Sequence, residues 1–417
     1  MTTTNNNGTF YGWYIIAATA VGICFGYVGT MIYAFSTFVL PLEEELGWSR
    51  GAISFGLTLS NWSMLLSAPL VGLLADKKGV RAALLPSTLC FGVLLCSFYF
   101  LTGNLWHFYA SMIALTVLGS GTASIAYVRL LVTWFDKRKG LALALGTSGA
   151  GVAAIVLPPA VSYVISTAGW REAYLALGGI NLVLVLPLIY FVIRNSPADV
   201  NSFPDGIANT GAAAPADVNQ IGRSFEQCLR TGAFWKLAIA TMLLGAMLNG
   251  TTSQMVPLLV DKGLDRAEAA GLASLLGVSI IIARLVSGYL LDRFHAPFVA
   301  GLFLLCPAIG FTCLAIAPSH ITAAITVISV GIGLGMEFDA LGYLCTQYFG
   351  RRALGRIYGL LFVVFNIGGG VGVFFAGHSY DAFTSYTPAL FVGASLSVLA
   401  VLFIASLGKY PKLAAAG

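Results

Sequence analysis

"AAGLASLLGVSIIIARLVSGYLL", residues 269–291, runs for 23 residues and holds a single charge, Arg284. At ~1.5 Å of rise per residue, such a helix reaches about 35 Å, enough to cross the hydrocarbon core of a bilayer. A stretch this long and apolar on every side points to lipid as its surroundings. An uncompensated guanidinium at that depth costs roughly 2.5–3.5 kcal/mol even on lenient insertion scales. Arg284 therefore needs a carboxylate, a water-filled space or a visiting anion.

The rest of the chain repeats the pattern. Of its 417 residues 58% are hydrophobic and 9% charged, against roughly 25% charged in soluble proteins. Apolar stretches near 12–38, 52–74, 82–102, 106–133, 140–166, 172–193, 234–259, 267–290, 297–317, 322–347, 355–377 and 387–407 predict twelve transmembrane helices, an all-α membrane protein. Lys and Arg total 22. With the N-terminus inside, sixteen of them fall on the inner side, among them Lys77, Lys78, Arg351 and Lys412. Four fall in outer loops, Arg50, Arg171, Lys262 and Arg266, and Arg129 and Arg284 remain within spans. That split predicts a multi-pass protein of the plasma (inner) membrane with both termini cytoplasmic. The N-terminal "TTTNNN" lacks the basic region of a signal peptide, so the first span is expected to start insertion itself. The net charge of +5 follows from this loop bias, and no nucleic-acid partner is expected.

One long polar stretch, 195–225, interrupts the series and carries PADVN twice, at 197–201 and 215–219. It is rich in Pro, Gly, Asn and Ala and reads as a mobile linker. It divides the chain into a six-helix bundle over 1–194, a cytoplasmic linker over 195–226 and a second six-helix bundle over 227–417. The halves echo each other: "GLLADKK" at 72–78 matches "GYLLDRF" at 288–294, and "WFDKRKG" at 134–140 matches "YFGRRAL" at 348–354. Two pseudo-symmetric bundles predict a ligand site between them, near the bilayer midplane. The segment 224–237 that follows the linker reads equally as an interfacial helix or as a lead-in to the seventh span.

"GLLADKKGVRAAL", 72–84, resembles the motif between the second and third helices of the major facilitator superfamily, through Gly72, Asp76, Gly79 and Arg81. Asp292 and Arg293 stand at the equivalent turn of the second half. The resemblance implies a gating or structural role: Gly72 allows close helix approach, and Asp76 pairs with basic groups to latch the halves in one state. A narrower likeness covers nearly the whole chain. "YGWYIIA" (11–17), "FVLPLEEELGWSR" (38–50), "WFDKRKGLALALGTSGAG" (134–151), "ARLVSGYLLDRF" (283–294) and "GMEFDALGYLCTQYFGRRALGRIYG" (335–359) together resemble the monocarboxylate porter family, with the oxalate/formate antiporters as neighbours. This implies transport of small carboxylates, usually with protons, and places Arg284 where the family's carboxylate-binding arginine stands. The chain departs from eukaryotic members in two places. Ile280 occupies the position of an aspartate one turn before that arginine, and no lysine lies between Phe10 and Leu40. Both missing residues are associated with proton coupling in the family; the anion site is kept.

The buried polar residues fill in the expectation. Arg284 suits a bidentate grip on a carboxylate; the structural alternative is a permanent ion pair. Glu337 and Asp339, two apart on one helix, face different ways, so one can meet Arg284 while the other lines the cavity or packs on a neighbour. An anion competing for Arg284 would free Glu337 to take a proton. Asn249 and Tyr343 are expected to orient the substrate, with Tyr127, Arg129 and Tyr33 as further cavity candidates. Each has a plainer reading: interhelical hydrogen bonding for Asn249, packing for the tyrosines, snorkelling for Arg129. "GTSGAG" and "GGGVG" (368–372) lie inside apolar spans and read as close-packing helix faces rather than phosphate loops. "EEE" at 43–45 reads as a solvated outer loop. Seven scattered cysteines and four distant histidines give no disulfide framework and no metal set. With no nucleophile–base pair either, neither an enzyme nor a cofactor is expected. The sequence predicts a monomeric carrier of a small carboxylate, lactate- or pyruvate-like, coupled to protons, with exchange of two carboxylates as the alternative. A receptor that kept the fold is a further reading, and the two intramembrane arginines argue against a carrier of hydrophobic cations.

Overall fold

Turn chemistry sets where the helices begin and end. Ser49 accepts a hydrogen bond from the Ala52 amide, Asn104 from Trp106 and Thr231 from Phe234, each closing a helix start. Ser319 with Thr322 and Asp265 with Glu268 form capping boxes. Gly79 (φ 88°) and Gly350 (φ 82°) supply the left-handed backbone that ends two long helices on the side of the chain termini.

The computed structural model describes residues 10–206, 222–350 and 352–411, and only the backbone of Asp76. Among the described residues eleven helices are long and apolar enough to span a bilayer, and a bent pair makes a twelfth. We call them α1 (Gly12–Phe25 with Val28–Thr37), α2 (Arg50–Ala75), α3 (Val80–Phe100), α4 (Leu105–Trp134), α5 (Lys139–Thr167), α6 (Trp170–Val192), α7 (Gly232–Ser253), α8 (Arg266–Leu291), α9 (Ala296–Ile316), α10 (His320–Phe349), α11 (Leu354–Phe383) and α12 (Thr387–Ala405). No strand occurs among the described residues. Arg351, Lys412 and the second PADVN copy lie outside them.

The straight first span expected from hydropathy is broken. α1 bends by 41° and continues as a π-helix over Val28–Ala34. The Tyr27 amide at the break is taken up by Thr122 Oγ1 at 3.1 Å, and the Tyr27 hydroxyl meets Ser60 at 3.1 Å. π-Bulges of this kind recur at functional sites. The linker also starts less freely than its composition predicts. Ser196 and Asp199 form a capping box, and the Asp205 carboxylate accepts from the Asp136 and Lys137 amides at 2.9 and 2.5 Å. Its first dozen residues are thus held by local contacts, with Asp205 docked on the turn between α4 and α5 and Asn195 on the turn between α2 and α3.

The two halves meet along α2 with α11 and α5 with α8. On the side away from the termini, which we call the far side, they are tied by polar contacts, buried or partly so. The Gly51 amide donates to Asp381 Oδ2 (2.9 Å), Gln254 Nε2 to Ser54 Oγ (2.7 Å), and Thr58 Oγ1 to the Gly370 carbonyl (2.8 Å). Midway, Gly277 lies so close to Gly151 that a Cβ would collide with the Gly151 carbonyl. On the terminal side the same helices separate: nothing lies within 4 Å of a Cβ built on Gly72, Gly140, Gly288, Gly355 or Gly359. The protein is open toward the side of its termini and closed on the far side.

Candidate functional site

Arg284 projects from the middle of α8 into the seam between the halves. Its Nε lies 3.5 Å from Asp339 Oδ2 on α10, and its Nη1 donates to Thr147 Oγ1 on α5 at 3.2 Å. One contact comes from each half. The grip is loose. The Nε finds no hydrogen-bond partner, and the side chains of Arg284 and Asp339 remain 28% and 40% accessible. A guanidinium with free donors, held by one long ion pair, can take a second anion in its fork.

The tilted second half of α1 brings Tyr33 within electrostatic reach of Arg284 and Glu337. Tyr358 near the terminal end of α11 feels Glu337, Asp339 and Arg284 together. Thr147 and Tyr358 went unremarked as site residues in the sequence. Thr147 sits in "GTSGAG", whose small residues do pack closely, Gly149 against the Ala20 carbonyl and Gly151 against Ile281. The same stretch thus carries both the close approach and a hydroxyl for Arg284.

The two carboxylates of α10 divide as their spacing predicted, with the roles reversed. Asp339, not Glu337, pairs with Arg284. Glu337 is 5% exposed, and neither of its oxygens has a partner. It points into the second bundle, at a cavity of about 20 Å³ lined also by Leu237, Thr241, Leu304, Leu344 and Ile404. An anion competing for Arg284 would therefore release Asp339. The correction follows from helix geometry: two residues rotate the side chain by ~200°, and only one of the pair can face α8.

Tyr127 is fully buried among Ile15, Ile23, Leu130 and Trp134, its hydroxyl pressed on Gly22. It is core, not cavity wall. Tyr343 is half-buried and lies within electrostatic reach of Tyr410 at the terminal end of the second bundle. Its helix neighbour Asp339 turns to Arg284 instead. Asn249 is half-buried with its amide against Gly369 of α11, which fits helix contact. Arg129 is exposed on α4.

In the gating motif, Gly79 hosts the Asn195 side chain, whose Oδ1 accepts from the Arg81 amide at 2.9 Å. Arg81 also donates to the Tyr190 carbonyl at 2.6 Å. These contacts stay within the first half. Gly72 approaches no other helix here, because the halves are parted at that end. The Asp76 side chain lies outside the described residues. Asp292 and Arg293 are exposed, Arg293 stacking over the Tyr289 ring at 4.1 Å.

The far side corrects two expectations. Arg50 is buried rather than a loop charge: it bonds Glu43 at 2.8 Å and the Tyr386 hydroxyl at 3.3 Å, and lies 3.6 Å from the Tyr380 ring centroid. The three glutamates of 43–45 end the short helix Val39–Leu46 and each has a partner. Glu43 meets Arg50, Glu44 meets Arg266 of the other half, and Glu45 meets Arg171 and Trp170. The Arg171 hydrogen bond holds the Glu45 carboxyl below its ordinary range, with the Trp170 N–H adding to it.

Twelve spans in two bundles, parted on one side and joined on the other around a charged midpoint, define a membrane transporter. The sequence pattern of the Major Facilitator Superfamily matches residues 19–373, and the chain belongs to that family. It is related to the monocarboxylate transporters. Monocarboxylate transporter 13 of Rattus norvegicus is 25% identical over 399 residues, covering 94% of this chain and 87% of that protein. Monocarboxylate transporter 12-B of Danio rerio is 28% identical over 300 residues, 68% and 62% of the two chains. The uncharacterized MFS-type transporter YhjX of Escherichia coli (strain K12) is 22% identical over 344 residues, 81% of each. Among solved structures, a bacterial homolog of the human lysosomal transporter Spinster, described as inward-facing and unoccupied, superposes with a TM-score of 0.68. It is 15% identical, with 96% of each chain covered, which bears on fold alone.

Proposed function

We propose that the protein carries a small organic monocarboxylate, of lactate or pyruvate type, by proton-coupled symport. The observation that supports this most is the half-engaged Arg284, whose only carboxylate contact among the described residues, Nε to Asp339 at 3.5 Å in the seam between the halves, falls short of a hydrogen bond. The names of the related transporters agree with it. The substrate carboxylate enters the guanidinium fork and displaces Asp339. The displaced carboxylate, facing a desolvated seam without its counter-charge, takes up a proton. Arg284 with its anion and neutral Asp339 then form a near-neutral set that crosses as the halves, 1–194 and 227–417, rock about the linker. Thr147 contacts the same guanidinium, Tyr33 lies within its electrostatic reach, and Arg129 is a further cation exposed on α4. In this reading the protein acts as a monomer in the plasma (inner) membrane with cytoplasmic termini. The open side is then the cytoplasmic one, and Gly72, Asp76, Asp292 and Arg293 engage when it closes.

A second reading is exchange of two carboxylates without a proton, favoured by Ile280 standing where the family's coupling aspartate is found. Proteoliposomes separate the two. Accumulation of labelled lactate driven by a pH gradient supports symport, and a strict need for internal carboxylate supports exchange.

A further inference from the structure

Glu337 has no part in the anion site, yet it is the most isolated acid in the membrane spans. Both carboxyl oxygens are buried and unpartnered. The cavity they face is walled by Leu237, Ala240, Thr241 and Leu244 of α7, Ala300 and Leu304 of α9, and Ile404 of α12. None of these is titratable or charged. The charged or titratable neighbours lie across the helix: Arg284 on α8, Asp339 on α10 itself, Tyr358 on α11 and Tyr33 on α1. The cavity measures about 20 Å³, and one ordered water needs roughly 10–15 Å³. An ionised carboxylate with no hydrogen-bond donor would be far costlier there than a neutral acid. Thr241 supplies the hydroxyl that a bridging water requires.

We propose that Glu337 is a proton-binding site separate from the anion site: a neutral carboxylic acid inside the second bundle, donating its hydrogen to one water that bridges to Thr241. Arg284 links the two sites. While Asp339 or a substrate carboxylate neutralises the guanidinium, Glu337 keeps its proton. When Asp339 is protonated and no anion is bound, the bare guanidinium favours ionised Glu337. The chain then holds one transferable proton shared between two acids set two residues apart. This role in transport rests on the symport reading; the neutral acid does not.

Infrared spectroscopy of the purified, substrate-free protein at neutral pH tests it. A protonated-carboxyl C=O band is expected that shifts on deuteration and on labelling glutamate with 13C. It should disappear in Glu337→Gln and persist in Asp339→Asn. The isotope shift needs no substitution, so a poorly folding variant does not blunt the test. A spectrum without a 13C-glutamate-sensitive acid band, or one unchanged by Glu337→Gln, overturns the proposal. Since no substrate is present, that failure leaves the carboxylate reading standing. Absent lactate uptake with the band intact would instead sink the carboxylate reading alone.

Discussion

Two arginines, one at the far end of the seam and one at its midpoint, show how differently one residue type is used. Arg50 on the far side is buried and saturated: a carboxylate, a phenol and an aromatic face engage it. Its partners extend the network, since the Tyr386 hydroxyl donates to Gln254 Oε1 at 2.8 Å and Gln254 reaches Ser54 across the halves. Arg284 at the midpoint has one threonine hydrogen bond and a long ion pair whose Nε stays beyond good hydrogen-bond geometry. Satisfied polar groups lock a structure, whereas a half-satisfied one holds capacity for a ligand. In the proposed function the far side therefore serves as a seal and the midpoint as a site.

Substitutions can break or sharpen this contrast. The largest effect is expected at Arg284. Arg284→Lys keeps the charge but loses the planar fork, and losing one charged hydrogen bond of about 2 kcal/mol weakens carboxylate affinity ~30-fold. Counterflow with labelled lactate measures it. Asp339→Asn comes next: accumulation driven by a pH gradient should vanish while counterflow survives, as the ion-pair partner becomes neutral. The equivalent Arg50→Gln should leave lactate affinity in the protein open on its terminal side within about two-fold, yet loosen the seal. Removing one partner of a mostly buried pair costs on the order of 2 kcal/mol, read as faster labelling of a Ser54→Cys probe from the far side. The smallest effect is expected for Lys139→Ala. Its pair with Asp136 is solvent-exposed on both sides, so the melting temperature should move by less than about 0.5 kcal/mol equivalent.

Much of the architecture was legible because lipid imposes long apolar runs, and the doubled turns at 72–78 and 288–294 revealed the halves. The break in α1 was not, since Gly26 and Tyr27 interrupt no hydropathy, and the Tyr27–Thr122 contact that holds it joins residues far apart in the sequence. Arg284 announced itself as a lone charge. Its partner did not: Glu337 and Asp339 are equivalent in a one-dimensional pattern, and the rotation of α10 against α8 decides between them. Tyr127 and Tyr33 likewise look alike in sequence, yet one fills the core of the first bundle and the other reaches the charged seam. Arg50 was misjudged for a related reason, whereas Glu44 and Glu45 do stay exposed. A charge at a span boundary suggests solvent, and the contacts that bury Arg50 come partly from Tyr380 and Tyr386 of the other half of the chain.

The most direct measurement is a dipolar contact in the membrane-embedded protein, between the 13C carboxylate of bound lactate and 15N-labelled arginine guanidinium. The account predicts a short contact, within hydrogen-bonding range, that is present in the wild-type protein and in Arg50→Gln and abolished by Arg284→Lys. Bound lactate with no arginine contact, or a contact that survives Arg284→Lys, would contradict it.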